Sequence, residues 1–227
     1  MIEIQNLSKS YGIGGKDILN NINLRFEPGQ TYGIVGANGS GKTTFFKCIL
    51  GISEYRGKIV STLEPLKNNI GYLETEPFFL KKITGKEYLR LLANSRNIKN
   101  IDFKEYNIFG LPLDQYCSIY STGMKKKLAL TGVLIQRNMV FILDEPFNGV
   151  DLYGNLMIKS IIKKLKSLNK IVVISSHIFS SLTEVCDVLY HLKEGKIGKK
   201  ILKDDFSLFE KGINEVSTDS IINKLKL

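Results

Sequence analysis

The densest chemistry in this chain lies in one glycine-rich octapeptide. Gly36-Ala-Asn-Gly-Ser-Gly-Lys-Thr43 meets every fixed position of the phosphate-binding loop pattern. Glycines let successive backbone N–H groups turn inward as an anion nest, and a helix opening behind them adds the positive end of its dipole. Lys42 is then placed to reach the β and γ phosphates of a nucleotide, and the Thr43 hydroxyl to ligate Mg²⁺. The fixed positions coincide by accident in roughly one chain per hundred of this length, so nucleotide binding is the expectation.

A second set of groups follows a hundred residues later. Met139-Val-Phe-Ile-Leu ends in Asp144-Glu145, which puts an acidic pair at the carboxyl end of an apolar strand. Open α/β sheets place their ligands there. Asp144 is positioned to hold Mg²⁺, usually through water, and Glu145 to polarise an attacking water. An acidic pair by itself would more simply be a turn. The glycine-rich loop makes the functional reading the stronger one.

These groups need elements to carry them. Ile2, Ile4 and Leu7 begin one strand, and Ile22, Leu24 and Phe26 alternate in another. Thr31–Val35 runs straight into the glycine-rich loop, and a helix over Lys42–Leu50 stops at Gly51. Ile70–Leu73, Val140–Leu143 and Ile171–Ile174 are continuous apolar runs, as expected for parallel strands buried on both faces. Between the last two, Leu152, Leu156, Ile158, Ile161, Ile162 and Leu165 mark an amphipathic helix. Val188–Leu192 and Lys196–Ile201 flank Lys193-Glu-Gly195 as a hairpin. Helical spacing over Gly85–Ala93 and Gly123–Ile135 sets the middle of the chain apart. The expected fold is an α/β P-loop NTPase core: a mainly parallel sheet with helices, an antiparallel β subdomain and an inserted helical subdomain. The boundaries are core 1–76 and 137–205, insertion 77–136, and a mostly polar tail 206–227 with a short helix at Ile221–Leu225. His191 falls inside a strand with no motif around it and reads as structural.

Three further segments narrow the class. Tyr120-Ser-Thr-Gly-Met-Lys-Lys-Lys-Leu resembles the LSGGQ signature of ABC-type ATPases. Asp144-Glu-Pro-Phe-Asn-Gly-Val-Asp151 resembles their Walker B strand running into the D-loop, and His177 stands where the family has its switch histidine. The opening Leu7-Ser-Lys-Ser-Tyr11-Gly also matches, and the likeness extends over about residues 1–200. It implies that Tyr11 stacks on adenine. It implies that the loop from Gly36 through Asn38, Gly39, Ser40, Gly41, Lys42, Thr43 and Thr44 holds the ATP phosphates. Asp144 and Thr43 would position Mg²⁺, Glu145 would act as general base, and His177 and Lys42 would meet the γ-phosphate. Ser121 and Gly123 look like the pair that caps ATP held by an opposite subunit, and Asp151 like the aspartate that communicates across that interface. The resemblance thus implies a head-to-tail dimer with ATP and Mg²⁺ as its ligands.

The chain also departs from the family pattern. A glutamine usually follows the strand equivalent to Ile70–Leu73 and reaches the metal and the attacking water. Thr75 stands there, between Glu74 and Glu76, and is the candidate metal contact with a hydroxyl of shorter reach, the alternative being a neighbouring glutamate after a local shift. In the signature, Thr122 replaces the first glycine and Met124 the final glutamine. The form Tyr-Ser-x-Gly-Met resembles the branch that energises export.

Composition agrees with a globular protein: of 227 residues, 43% are hydrophobic and 24% charged. No run approaches the roughly 18 uninterrupted apolar residues a bilayer span needs, and the N-terminus lacks a signal-peptide block. Cys48, Cys117 and Cys186 fit neither a disulfide framework nor a zinc pattern, which favours a reducing compartment. The formal charge of +10 comes from 27 Lys and 5 Arg against 22 acids, a lysine bias that compositional drift can produce without a polyanionic partner. The resulting expectation is a cytoplasmic ATPase subunit, peripheral on the inner face of the membrane and bound to separate permease subunits. Phe78, Phe79 and Tyr88 are candidates for the apolar floor of the partner groove, and any one of them equally for the core. The competing reading, a soluble ABC-type ATPase acting on nucleic acid or ribosomes, fits the charge. It usually requires two ATPase domains or long coiled-coil insertions, so nucleic acid is not the expected partner.

Overall fold

The computed structural model describes residues 1–12, 15 and 17–217, with 212–217 described by backbone alone. Its centre is a six-stranded sheet of order β5-β6-β7-β3-β8-β9. These strands are β3 (Thr31–Val35), β5 (Ile70–Leu73), β6 (Val140–Asp144), β7 (Ile171–Ser176), β8 (Val188–Lys193) and β9 (Lys196–Leu202). The first five run parallel, and β9 returns antiparallel through the expected hairpin. β3, β6 and β7 are buried at every position, which is why they read as unbroken apolar runs rather than alternating ones. A second, antiparallel sheet of order β2-β1-β4 is built from β1 (Ile2–Ser10), β2 (Asp17–Phe26) and β4 (Arg56–Ser61).

Three apolar clusters follow from this layering. One lies between the small sheet, helix α1 (Lys42–Ile49) and one face of the large sheet, with Ile4, Phe26, Phe45 and Ile142 at its centre. The second covers the opposite face with α4 (Thr122–Ile135), α5 (Leu152–Ser167) and α6 (Phe179–Thr183). The third joins α2 (Gly85–Asn94), α3 (Phe103–Tyr106) and α4 through Leu89, Ala93, Phe103 and Leu128. Helix α4 therefore faces both the sheet and the smaller helices. α2 opens on a complete capping box, in which Glu87 Nα–H donates to the Thr84 hydroxyl and Glu87 Oε2 accepts from the Thr84 backbone.

The structure differs from the sequence-based expectations in two places and decides an open choice in a third. Strand β4 was not foreseen: it lies at a sheet edge and half of it faces solvent, so it shows no apolar alternation. The tail after Asp205 does not begin as a polar stretch. It opens with α7 (Phe206–Ser217), whose Phe206 and Phe209 pack edge-on or tilted against Phe179 of α6. Two aromatics three residues apart are a weak periodic signal but suffice to dock one helical turn. Finally, Phe79 and Tyr88 are not exposed with Phe78. Their rings meet at 4.6 Å between the second and third clusters, while Phe78 remains 75% exposed. The expected helix at Ile221–Leu225 lies outside the described residues. Cys48, Cys117 and Cys186 are buried free thiols, and His191 of β8 packs against the ring of Phe209.

The sheet's carboxyl edge is where precision matters, and Leu143 supports it from within, fully buried one residue before Asp144. Leu143→Ala is expected to destabilise the protein by about 3 kcal/mol, within the usual range for a buried leucine. The urea midpoint measures this directly, and a shift under a third of that size would show that the edge relaxes around the cavity.

Candidate functional site

Parallel pairing brings the distant motifs together. In register, Asp144 of β6 lies beside Ser175 of β7, Ser176 beside Val35 of β3, and Leu73 of β5 beside Leu143. The glycine-rich loop, Asp144-Glu145, His177 and Thr75 all leave the same edge of the sheet. A cleft of about 280 Å³ opens there, lined by Asn38, Gly39, Gly41, Lys42, Thr43, Thr44, Thr75, Asp144 and Glu145. Ile18 of β2 adds an apolar wall.

The loop's glycines are sterically required. A Cβ on Gly36 would meet the Leu192 carbonyl oxygen at 2.4 Å. Gly41 holds φ at 106° as the residue before α1, a conformation that L side chains rarely adopt. Helix α1 starts with no side-chain cap and no acidic residue in its first turn. Its free amides are therefore left for an anion. Ser40 Oγ is buried nearby with no partner among the described residues.

The charged groups form one compact network. Lys42, only 7% exposed, donates to the carbonyl oxygens of Gly36 at 2.8 Å and Ala37 at 3.1 Å. Its Nζ lies 3.6 Å from Glu145 Oε1, an ion-pair distance beyond hydrogen-bond reach, and that oxygen has no hydrogen-bond donor. Asp144 is fully buried, and its Oδ2 accepts from the Thr43 hydroxyl at 2.6 Å. Its Oδ1 accepts from the hydroxyl of Ser175, while Ser175 Oγ accepts the Glu145 backbone N–H at 2.9 Å. Tyr72 Oη reaches Asp144 Oδ2 at 3.5 Å, and burial together with the Asp144 charge holds the Tyr72 phenol above its ordinary range. His177 Nδ1 lies 3.0 Å from Glu145 Oε2. Glu145 itself has φ of 50°, a strained turn that aims its carboxylate back over the cleft.

Among the described residues no three His, Cys, Asp or Glu side chains gather as a self-sufficient metal site. A threonine hydroxyl bonded to a buried carboxylate does suit Mg²⁺, which takes few protein ligands and completes its shell with phosphate oxygens and water. Thr75 lines the same cleft, and its backbone carbonyl is held by Lys126.

Other expected site residues lie elsewhere. Tyr11 is 53% exposed on the turn after β1 with the Lys9 ammonium 4.9 Å from its ring centroid, and it does not line the cleft. Ser121 caps α4 by accepting the Met124 N–H at 3.2 Å. Gly123 packs so closely on the loop before α5 that a Cβ would meet the Gly149 carbonyl oxygen at 2.7 Å. Asp151 caps α5 through the Gly154 N–H at 2.7 Å and pairs with Lys127 at 2.5 Å, and the Lys127 hydrogen bond holds its carboxyl below the usual range. Ser121, Gly123 and Asp151 form a second group that does not line the cleft.

Residues 19–148 match the family model described as ABC transporter. The chain belongs to the ABC transporter family, as an ATP-binding domain with ATPase activity. Among its relatives, the bacitracin transport ATP-binding protein BcrA of Enterococcus faecalis is 32% identical over 88% of this chain and 69% of that protein. The lantibiotic transport ATP-binding protein SrtF of Streptococcus pyogenes is 32% identical over 93% of this chain and 99% of its own. A solved ATP-binding subunit of an ABC transporter superposes with a TM-score of 0.80 at 23% identity, over 99% of this chain and 98% of that one. At that identity it shows the ABC ATPase fold.

Sequence reasoning passed over Ser175, which supports the ABC cleft from behind through Asp144 and Glu145, as it did Ile18 and Tyr72. For Ser175 the only signal was a pair of polar residues closing an otherwise apolar strand, a place where a buried hydroxyl needs a partner. Ser175→Ala removes a donor from a buried carboxylate and an acceptor from the Glu145 amide. The expected result is a loss of about 1–3 kcal/mol of stability and an ATPase rate lowered at least several-fold. Urea unfolding and steady-state turnover on one preparation measure both, and an unchanged rate would show that Asp144 and Glu145 hold their places without it.

Proposed function

We propose that this chain is the ATP-hydrolysing subunit of an export-type transporter, working as a head-to-tail pair on separate membrane subunits. The observation that carries this reading is the division of the site. The cleft gathers Lys42, Thr43, Asp144 and Glu145, with His177 against Glu145 at its margin, whereas Ser121, Gly123 and Asp151 gather apart from it. A second copy turned head to tail would bring its Ser121 helix start against an ATP seated in the first copy's cleft.

In this reading the phosphates take the free amides of α1, and the Lys42 ammonium leaves the Gly36 and Ala37 carbonyls for the β and γ phosphates. Thr43 and Asp144 would hold Mg²⁺, which would screen the phosphate charge. Glu145 accepts a proton from a water whose oxygen attacks the γ-phosphorus. The bond to the bridging oxygen breaks, and ADP departs with that electron pair, leaving inorganic phosphate. His177 fixes the Glu145 carboxylate and reaches toward the γ-phosphate. Loss of the shared phosphate contacts then lets the pair open, a switch of the γ-phosphate type.

The transport role draws on relatives named for bacitracin and lantibiotic transport. It is supported by the Tyr-Ser-x-Gly-Met form of the signature. Among the described residues no helix is long and apolar enough to cross a membrane, so the translocation path would belong to other chains. The protein would then sit on the inner face of the membrane through them.

Glu145→Gln keeps the shape of the side chain and removes the base. ATP binding is expected to persist while turnover falls at least about a hundredfold. The variant should elute as a dimer when ATP is present, by size-exclusion chromatography with light scattering. Normal turnover in this variant would overturn the assignment of Glu145.

A further inference from the structure

One buried cation has no place in the chemistry described above. Lys126, one turn beyond the Ser121 cap in α4, is only 1% exposed. Among the described residues no carboxylate lies within ion-pair distance of it. Its ammonium instead donates to two consecutive backbone carbonyls, that of Glu74 at 3.2 Å and that of Thr75. Burying an ammonium is costly, and a methionine would fill similar space without that cost. The charge must therefore do something that packing does not. Burial lowers the Lys126 ammonium to about 8, with Asp144, Glu145 and Glu76 pulling the other way, so the group lies within the field of the cleft carboxylates.

The two carbonyls lie in the loop that leaves β5, and Thr75 of that loop lines the nucleotide cleft. The lysine itself rides on the helix whose first turn packs against the 149–150 loop, through Gly123. A single side chain thus ties the cleft wall to the helix that carries the second group of site residues. Thr75 has too short a side chain to make that connection itself.

We propose that Lys126 is a positioning residue for ATP hydrolysis, which clamps the Glu74–Thr75 segment into the cleft wall and makes it move with the signature helix. The proposal rests on the cleft being the hydrolytic site. It predicts an effect on turnover rather than on nucleotide affinity, because the clamped segment belongs to the wall and Lys42 and α1 do the gripping.

The test uses Lys126→Met and Lys126→Gln in the full chain, the second keeping a neutral donor one bond shorter. Three quantities are measured: kcat and KM for ATP, ADP affinity by calorimetry, and hydrogen exchange at the amides of residues 74–76. For Lys126→Met, kcat should fall on the order of tenfold, as for misplacement of a supporting group, with KM and ADP affinity within about twofold of the unaltered chain. The amides of 74–76 should exchange faster while those of β6 and β7 stay protected. Lys126→Gln should fall between the two in both readouts. Unchanged turnover, or lowered turnover with unchanged exchange at 74–76, overturns the proposal, as would an equal loss of ADP affinity. If the methionine variant does not fold, the glutamine variant decides by the same criteria. Absence of hydrolysis by the unaltered chain would overturn the cleft reading and the proposal with it.

Discussion

A buried carboxylate cannot be left without donors, and the site is built around that requirement at Asp144. The side chain is fully enclosed, yet both oxygens are satisfied: one by Thr43 at the start of α1, the other by Ser175 at the end of β7. Three segments far apart in sequence are thereby fixed to one group. Ser175 passes the constraint on, because its oxygen also receives the Glu145 amide and so sets the turn that aims the second carboxylate. Lys42 and His177 then close around Glu145. Charged and polar groups are thereby fixed around one cleft, the kind of arrangement that electrostatic stabilisation uses.

The sheet makes this arrangement possible. Parallel strands buried on both faces end at one edge, so the loops after β3, β5, β6 and β7 open into the same space. The glycine-rich loop can turn there only because Gly36 lets the Leu192 carbonyl approach and Gly41 accepts a left-handed conformation. The helical lobe follows a different logic. Ser121, Gly123 and Asp151 use their side chains or their lack of one to start and pack α4 and α5, and they do so away from the cleft. Their local tasks as caps and contacts are complete within one chain.

Much of this was legible in the sequence because it depends on local pattern. The octapeptide Gly36–Thr43, the apolar runs of β3, β6 and β7, and the acidic pair at the end of β6 each declare themselves within ten residues. What escaped depends on pairing across the fold. Ser175 matters because parallel register sets it beside Asp144, and nothing in its own segment says so. Lys126 looks like one of three ordinary lysines until the fold buries it under the loop after β5. For Phe79 and Tyr88 the sequence left surface and core equally open, and packing decides: Phe79 touches the second and third clusters, and its ring meets that of Tyr88 of the third. Helix α7 hides because Phe206 and Phe209 dock it through one helical turn, while Leu208 between them faces outward and blurs the period.

In the proposed mechanism Asp144, held by Thr43 and Ser175, organises the cleft for a nucleotide that would arrive with Mg²⁺. Calorimetric titration of ATP with Mg²⁺ and with a chelator, on the unaltered chain and on Asp144→Asn, tests this role directly. The unaltered chain should bind ATP at least about tenfold more tightly with Mg²⁺ than without, and Asp144→Asn should lose most of that difference, a change of about 1.4 kcal/mol. An Asp144→Asn variant that kept the full Mg²⁺ enhancement would contradict the account.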